Sequence, residues 1–171
     1  MTTLTRSGLI IDNPTPEIKK ELTVRAVVNN EYGFPPPPFK VYRSAKNGIC
    51  VPRYYGTDKL GIPQTDKRPN PVKTSISFKG KLRDETKQND AFNAAIQAGH
   101  GVLSLPCGYG KTTVSLAIAC KLGYRTMIIV HKQFLADQWR ERIKQFCPGA
   151  TIGTIQQEKK EVDCDFVIAM L

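Results

Sequence analysis

One stretch limits what this chain can fold into: Val102-Leu103-Ser104-Leu105-Pro106-Cys107-Gly108-Tyr109-Gly110-Lys111-Thr112-Thr113. Residues 102–105 are a short apolar run that reads as a buried strand. A glycine turn follows. From Lys111 an amphipathic segment places Val114, Ala117, Ile118 and Leu122 on one helical face. Strand, glycine turn, Lys-Thr and helix, in that order, form the context a phosphate-binding loop requires. Glycines let backbone N–H groups converge on an anion, and the helix N-terminus adds partial positive charge. Lys111 is placed to reach the β- and γ-phosphates of a nucleotide, and the Thr112 hydroxyl to ligate Mg²⁺. The strict pattern G-x-x-x-x-G-K-[ST] asks for glycine at position 105, where this chain has Leu105. A plain turn with an exposed lysine would share the string. The agreement of string and context favours the phosphate loop.

Charge adds a second constraint. The chain of 171 residues carries a net charge of +10. Residues 1–80 hold 13 Lys/Arg against 6 Asp/Glu, and residues 81–171 hold 12 against 9. The basic excess therefore sits mainly in the first half, which suits a polyanionic partner such as nucleic acid, or simply a soluble basic surface. The five cysteines (Cys50, Cys107, Cys120, Cys147, Cys164) form no C-x-x-C pair. With only His100 and His131 beside them, they argue against a zinc site and for reduced, buried thiols inside a cell. There is no signal peptide or membrane-length apolar run, so no membrane partner is expected. The expected location is intracellular, cytoplasmic or nuclear, in a cellular or viral setting.

Along the chain, residues 1–21 are polar apart from Leu9, Ile10 and Ile11, with a helix start at Thr15-Pro16. Residues 22–28 read as a strand and 29–38 as a stiff loop ending in four prolines. Residues 39–43 and 48–53 read as strands around Asn47-Gly48, a hairpin signal. Lys40, Arg43, Lys46 and Arg53 fall there beside Tyr42, Tyr54 and Tyr55. That interleaving suits a single-strand-binding surface, and an ordinary hairpin with solvated lysines accounts for it as well. Residues 56–71 read as loop, and 72–78 as a half-buried strand before a boundary at Gly80-Lys81.

A helical pattern spans residues 84–98, with Phe92, Ala95 and Ile96 inward. Residues 126–130 read as a second buried strand. Residues 132–146 read as an amphipathic helix with Leu135, Trp139, Ile143 and Phe146 inward, so Trp139 belongs to the core. Residues 150–155 and 166–171 read as strands, with a turn at 158–161. Strands alternating with helices imply an α/β fold with a parallel sheet, whose ligands lie at the strands' carboxyl ends.

Residues 81–171 resemble the first RecA-like domain of superfamily 2 helicases, in the branch of XPB and the phage and large-DNA-virus helicases. The segment Leu105-Pro106-Cys107-Gly108-Tyr109-Gly110-Lys111-Thr112 looks like motif I in its helicase form. Ile128-Ile129-Val130-His131-Lys132, with Phe134-Leu135 and Gln138-Trp139, looks like motif Ia. Asp165-Phe166-Val167-Ile168-Ala169-Met170-Leu171 looks like the strand before the next nucleic-acid-contacting motif. Lys81-Leu82-Arg83-Asp84-Glu85 matches the leader that ends in an adenine-reading Gln, although that Gln falls at Thr86 and the nearest is Gln88.

The resemblance implies a partial RecA-like P-loop domain (81–171) preceded by a small β-rich accessory domain (1–80) that helps engage nucleic acid. It implies ATP and Mg as cofactors. Pro106, Cys107, Gly108, Tyr109, Gly110, Lys111, Thr112 and Thr113 would hold the nucleotide. Lys111 is the catalytic candidate, Thr112 the metal ligand, and Cys107 contributes backbone rather than thiol. His131, Lys132 and Gln133 would meet nucleic acid, DNA rather than RNA.

The chain stops before any D-E-x-[HD] motif and before the second RecA-like domain with its arginine finger. Loss of such a finger costs about 10³–10⁵ in rate in related hydrolases. An N-terminal piece of an ATP-dependent helicase or translocase, itself inactive in hydrolysis, is therefore the expectation. The alternatives are a restriction- or remodelling-type translocase, and a nucleic-acid-binding module whose nucleotide loop only regulates binding.

Overall fold

The computed structural model describes residues 1–26 and 36–171, and the chain divides into two units, Met1–Asn70 and Pro71–Leu171. The division falls ahead of Gly80-Lys81 because residues 71–80 pack with the second unit.

In the first unit, β1 (Thr2–Thr5) and β2 (Gly8–Asp12) form an antiparallel hairpin. The sequence reading saw only the apolar cluster of its second arm. Helix α1 (Pro16–Glu21) starts where Thr15-Pro16 places it. The strand expected over 22–28 reduces to β3 (Thr23–Val24), paired with β4 (Phe39–Lys40). Residues 27 and 28 lie outside the described residues, as does the start of the proline loop. Next come β5 (Arg43–Ala45) and β6 (Gly48–Val51), an antiparallel hairpin in which Ala45 pairs with Gly48. The two-residue turn is thus Lys46-Asn47, one position earlier than Asn47-Gly48. Gly48 is needed for space: a Cβ there would lie 2.0 Å from the Ile11 carbonyl oxygen.

Two elements occupy much of the loop expected over 56–71, the first beginning at Arg53, the expected end of the preceding strand. These are helix α2 (Arg53–Leu60) and β7 (Thr65–Asp66), which pairs parallel with β1. The sheet order is β5-β6-β2-β1-β7. Leu4, Leu9, Ile11, Leu22, Ile49 and Val51 form its core, with Tyr42 and Tyr55 packed against it. Those two tyrosines are therefore partly spent on packing. Tyr55 also donates to the Glu21 carboxylate at 2.6 Å, which pushes its phenol up to about 12.

The second unit opens with an extended strap, 71–80, in place of the expected half-buried strand. It makes a single bridge, Lys73 to Tyr124, while Ile76 and Phe78 pack into the core. Helices α3 (Gln88–Ala98) and α4 (Lys111–Leu122) follow, then β8 (Thr126–Val130), α5 (Gln133–Phe146), β9 (Ile152–Gln156), β10 (Lys159–Lys160) and β11 (Phe166–Met170). The sheet order is β10-β9-β11-β8. β11 runs parallel to both neighbours, and β10 turns back on β9 as a hairpin, so the turn expected at 158–161 is partly strand. The mixed α/β architecture with a parallel sheet is that of a partial RecA-like domain.

The core joins Leu116 and Ala119 of α4, Ala136 and Ile143 of α5, and Val130, Phe166 and Ile168 of the sheet. Leu135, Trp139 and Phe146 pack against it, as the helical period requires. Helix α4 departs from its expected single face: Leu116 and Ala119 are buried along with Val114 and Ala117, whereas Leu122 is exposed.

Two strands were expected to be buried and are not. Residues 101–106 form no strand, and Val102 is 94% exposed. A ladder needs a partner, and none lies beside this segment among the described residues. β8 pairs only with β11, and its alternate residues Met127 and Ile129 are exposed. Of the cysteines, Cys147 is buried and Cys107 exposed. The Cys120 and Cys147 sulfurs lie 3.5 Å apart. Burial pushes the Cys147 thiol up to about 12, so it stays protonated and unreactive.

Candidate functional site

The glycine loop is built by backbone conformation. Residues 107–109 turn, with Gly108 at φ 74° and Gly110 at φ 92°. Both angles lie in the left-handed region that side chains resist. Gly110 is the N-cap of α4 and offers no side-chain cap. Its carbonyl accepts from the Val114 N–H at 3.1 Å. The N–H groups of Lys111, Thr112 and Thr113 then have no partner among the described residues, which is what a helix start leaves over. The exposed Lys111 folds back so that its Nζ donates to the Pro106 carbonyl at 2.7 Å. Tyr109 N–H donates to the same oxygen at 3.4 Å. Three unbonded N–H groups at a helix N-terminus, with an exposed ammonium beside them, are chemically suited to an anion.

A brace behind the loop was missed in the sequence. Gln88 is 2% exposed. Its Oε1 accepts from the Arg83 N–H at 2.9 Å, and its Nε2 donates to the Tyr109 carbonyl at 2.5 Å. Arg83 Nη2 reaches the Tyr109 and Gly108 carbonyls at 3.3 and 3.4 Å. The Tyr109 hydroxyl donates to the Lys87 carbonyl at 2.6 Å. A Cβ on Gly110 would lie 2.6 Å from Gln88 Nε2. The only signal was that Gln88 is the glutamine nearest to Thr86, where the leader pattern expects one. A turn over 84–87, with Lys87 at φ 53°, leads directly into α3 and Gln88.

His131, Lys132 and Gln133 come together where β8 ends and α5 begins, all exposed. Lys132 is the α5 N-cap in extended conformation, and its Nζ sits 6.0 Å from the Phe134 ring centroid. Gln133 donates to Asp137 at 3.0 Å and accepts from Gln156 at 3.4 Å. No hydrogen bond joins these three residues to the glycine loop among the described residues.

Residues 80–171 match the family described as Type III restriction enzyme, res subunit. The chain belongs to the superfamily 2 helicases, in the branch of XPB and the viral helicases. It is 36% identical to "Putative ATP-dependent RNA helicase L396" of Acanthamoeba polyphaga mimivirus, over 99% of this chain and 35% of that protein. It is 31% identical to "Putative helicase 109L" of Invertebrate iridescent virus 3, over 76% of this chain and 44% of that one. It is 37% identical to the "DNA 3'-5' translocase XPB2" of Sulfurisphaera tokodaii, over 60% and 24% respectively. The chain thus spans less than half the length of these relatives. The matched residues take in both segments that look like motif I (105–112) and motif Ia with its helix (128–139). No helix among its described residues is long and apolar enough to cross a membrane.

Proposed function

We propose that this chain is the nucleotide-gripping part of an ATP-dependent nucleic-acid helicase or translocase. The observation that carries the reading is the α4 N-terminus, whose three unbonded N–H groups stand behind a glycine loop with Lys111 beside them. Pro106, Cys107, Gly108, Tyr109 and Gly110 supply backbone to the phosphates, and Thr113 a further hydroxyl. Lys111 leaves the Pro106 carbonyl to meet the terminal phosphates. Thr112, half-buried on the first turn, fits Mg²⁺ as a single oxygen ligand. Among the described residues no group of three or more His, Cys, Asp or Glu could hold a metal. Mg²⁺ would therefore arrive with the nucleotide, keeping water and phosphate ligands. When bound it neutralises phosphate charge. His131, Lys132 and Gln133 face a nucleic-acid backbone at the carboxyl end of the sheet.

DNA is the proposed track, supported by the XPB relatives, which are named for 3'-5' movement on DNA; the mimivirus relative's name points to RNA. The accessory role proposed for the first unit is nucleic-acid engagement, on its basic excess. The restriction-type translocase stands as a second reading on the family description. Lys111→Ala is expected to lower ADP affinity at least about 10-fold, the loss of one charge-assisted contact, without lowering the melting temperature. Isothermal titration checks this, and unchanged affinity would remove the loop from the account. In the full-length protein, ATP hydrolysis with single-stranded DNA, duplex DNA and RNA names the track. No turnover with any polymer would leave a nucleotide-regulated binding module.

A further inference from the structure

Within the first unit, three arginines far apart in sequence line one concavity of about 400 Å³. Arg6 stands on the β1–β2 turn between Thr5 and Ser7, Arg53 is the first residue of α2, and Arg68 follows β7. The Nε of Arg53 is buried and has no hydrogen-bond partner. A buried guanidinium N–H without an acceptor is costly, and arginine cannot shed its proton. The Arg53 guanidinium also lies 5.1 Å from the Tyr54 ring centroid, which orients it without supplying an acceptor. Arg6 has no ion-pair partner among the described residues.

Arg68 is held on the Asp66 carboxylate, with Nε 3.0 and 3.1 Å from its two oxygens and Nη2 at 2.7 Å. Hydrogen bonds from Arg68 draw the Asp66 carboxyl down to about 2, so it is ionised at neutral pH. Three guanidinium charges thus face one carboxylate, an excess of two. The Thr5 hydroxyl is engaged with the Gly8 carbonyl at 2.9 Å, and that of Ser7 is open. A planar guanidinium fork matches a tetrahedral oxyanion, and the uncapped N-terminus of α2 adds partial charge of the same sign.

We propose that Arg6, Arg53 and Arg68 form a phosphate-binding site in the first unit. It takes a phosphate group, carried either by a nucleic-acid backbone or by free phosphate. The site shares no residue with the glycine loop and does not rest on that loop's reading.

The test uses the whole chain in a Lys111→Ala background, so that the glycine loop contributes nothing. Two probes are compared: a fluorescein-labelled single-stranded oligothymidine followed by anisotropy across about 50–200 mM salt, and inorganic phosphate followed by calorimetry. Arg6→Gln with Arg53→Gln is expected to weaken at least one probe about tenfold. For the strand, the salt slope should fall by roughly one for each arginine that meets a phosphate. Loss on the oligonucleotide alone assigns a strand phosphate, loss on inorganic phosphate alone assigns free phosphate, and loss on both assigns either. If Arg53→Gln lowers the melting temperature, Arg6→Gln, on an exposed turn, carries the test. Unchanged binding of both probes by a folded variant, or no binding by the parent, overturns the site. The loop reading fails on ADP in the unmodified chain, so the two failures are distinguishable.

Discussion

Gln88 is one of the side chains that brace the glycine loop. It is a buried polar side chain whose oxygen and nitrogen are both used, one on the leader and one on the loop. Gln88→Leu keeps the volume and removes both bonds, leaving the Arg83 N–H without an acceptor and the Tyr109 carbonyl with only the longer bond from Arg83 Nη2 at 3.3 Å. The expected cost is about 1–3 kcal/mol of stability. Because the loop's carbonyl then loses its shorter bond, ADP affinity should also fall by more than the melting shift accounts for. Measuring ADP binding well below the variant's melting temperature separates the two. Full affinity in the folded variant would mean that Gln88 braces the fold and not the site.

At the scale of elements, Asp165 ties three pieces of the second unit together just before β11. Its carboxylate accepts from the Thr74 hydroxyl of the strap at 2.5 Å and from the Thr151 N–H and hydroxyl at 2.8 and 2.6 Å. Burial pushes its pKa up, but the bonds from Thr151 and Thr74, with Arg125 nearby, outweigh it and leave the carboxyl below its ordinary value. A depressed carboxylate stabilises above its unfolded value near 4, and that contribution is lost as pH falls through the folded value. Asp165→Ala is therefore expected to cost about 2 kcal/mol at pH 7. The gap between variant and parent in urea midpoint should narrow below about pH 4. A gap constant with pH would assign the role to packing. The strap itself shows where sequence reading stops. Alternating Ile76 and Phe78 were legible as inward positions, but whether an extended segment joins a ladder depends on a neighbour far along the chain. The same holds for residues 102–105, which have strand composition and no partner. β11 and α5 were legible because a continuous apolar run or a clean 3.6-residue period is a local property. Helix α2 was not, because the one residue it buries fully is Gly56, with Tyr55 only partly buried beside it. A Cβ there would lie 2.5 Å from Leu9 Cδ2, so the contact demands the one residue that a search for apolar periodicity ignores.

At the scale of the molecule, the two core clusters share no residue. One is drawn wholly from residues 1–70 and the other wholly from residues 71–171. The glycine loop and the residues at the end of β8 belong to the second, and the arginine site to the first. Each core has its own reporter. Trp139 is the sole tryptophan and packs against the second core, whereas Tyr42 and Tyr55 pack against the first. Leu9 and Ile143 are each 0% exposed, one in each core. Truncating either to alanine is expected to cost about 2–5 kcal/mol, with roughly 4–8 °C of melting shift per kcal/mol for a unit of this size. If the units unfold as separate cooperative blocks, Leu9→Ala should lower the midpoint seen by far-UV circular dichroism at the low-temperature end while the Trp139 fluorescence midpoint stays in place. Ile143→Ala should move the Trp139 midpoint directly. Coincident transitions in both variants, by both probes, would instead make the chain a single two-state unit. A nucleotide bound at the glycine loop would then stabilise the arginine site as well, since a ligand of the native state stabilises everything that unfolds with it.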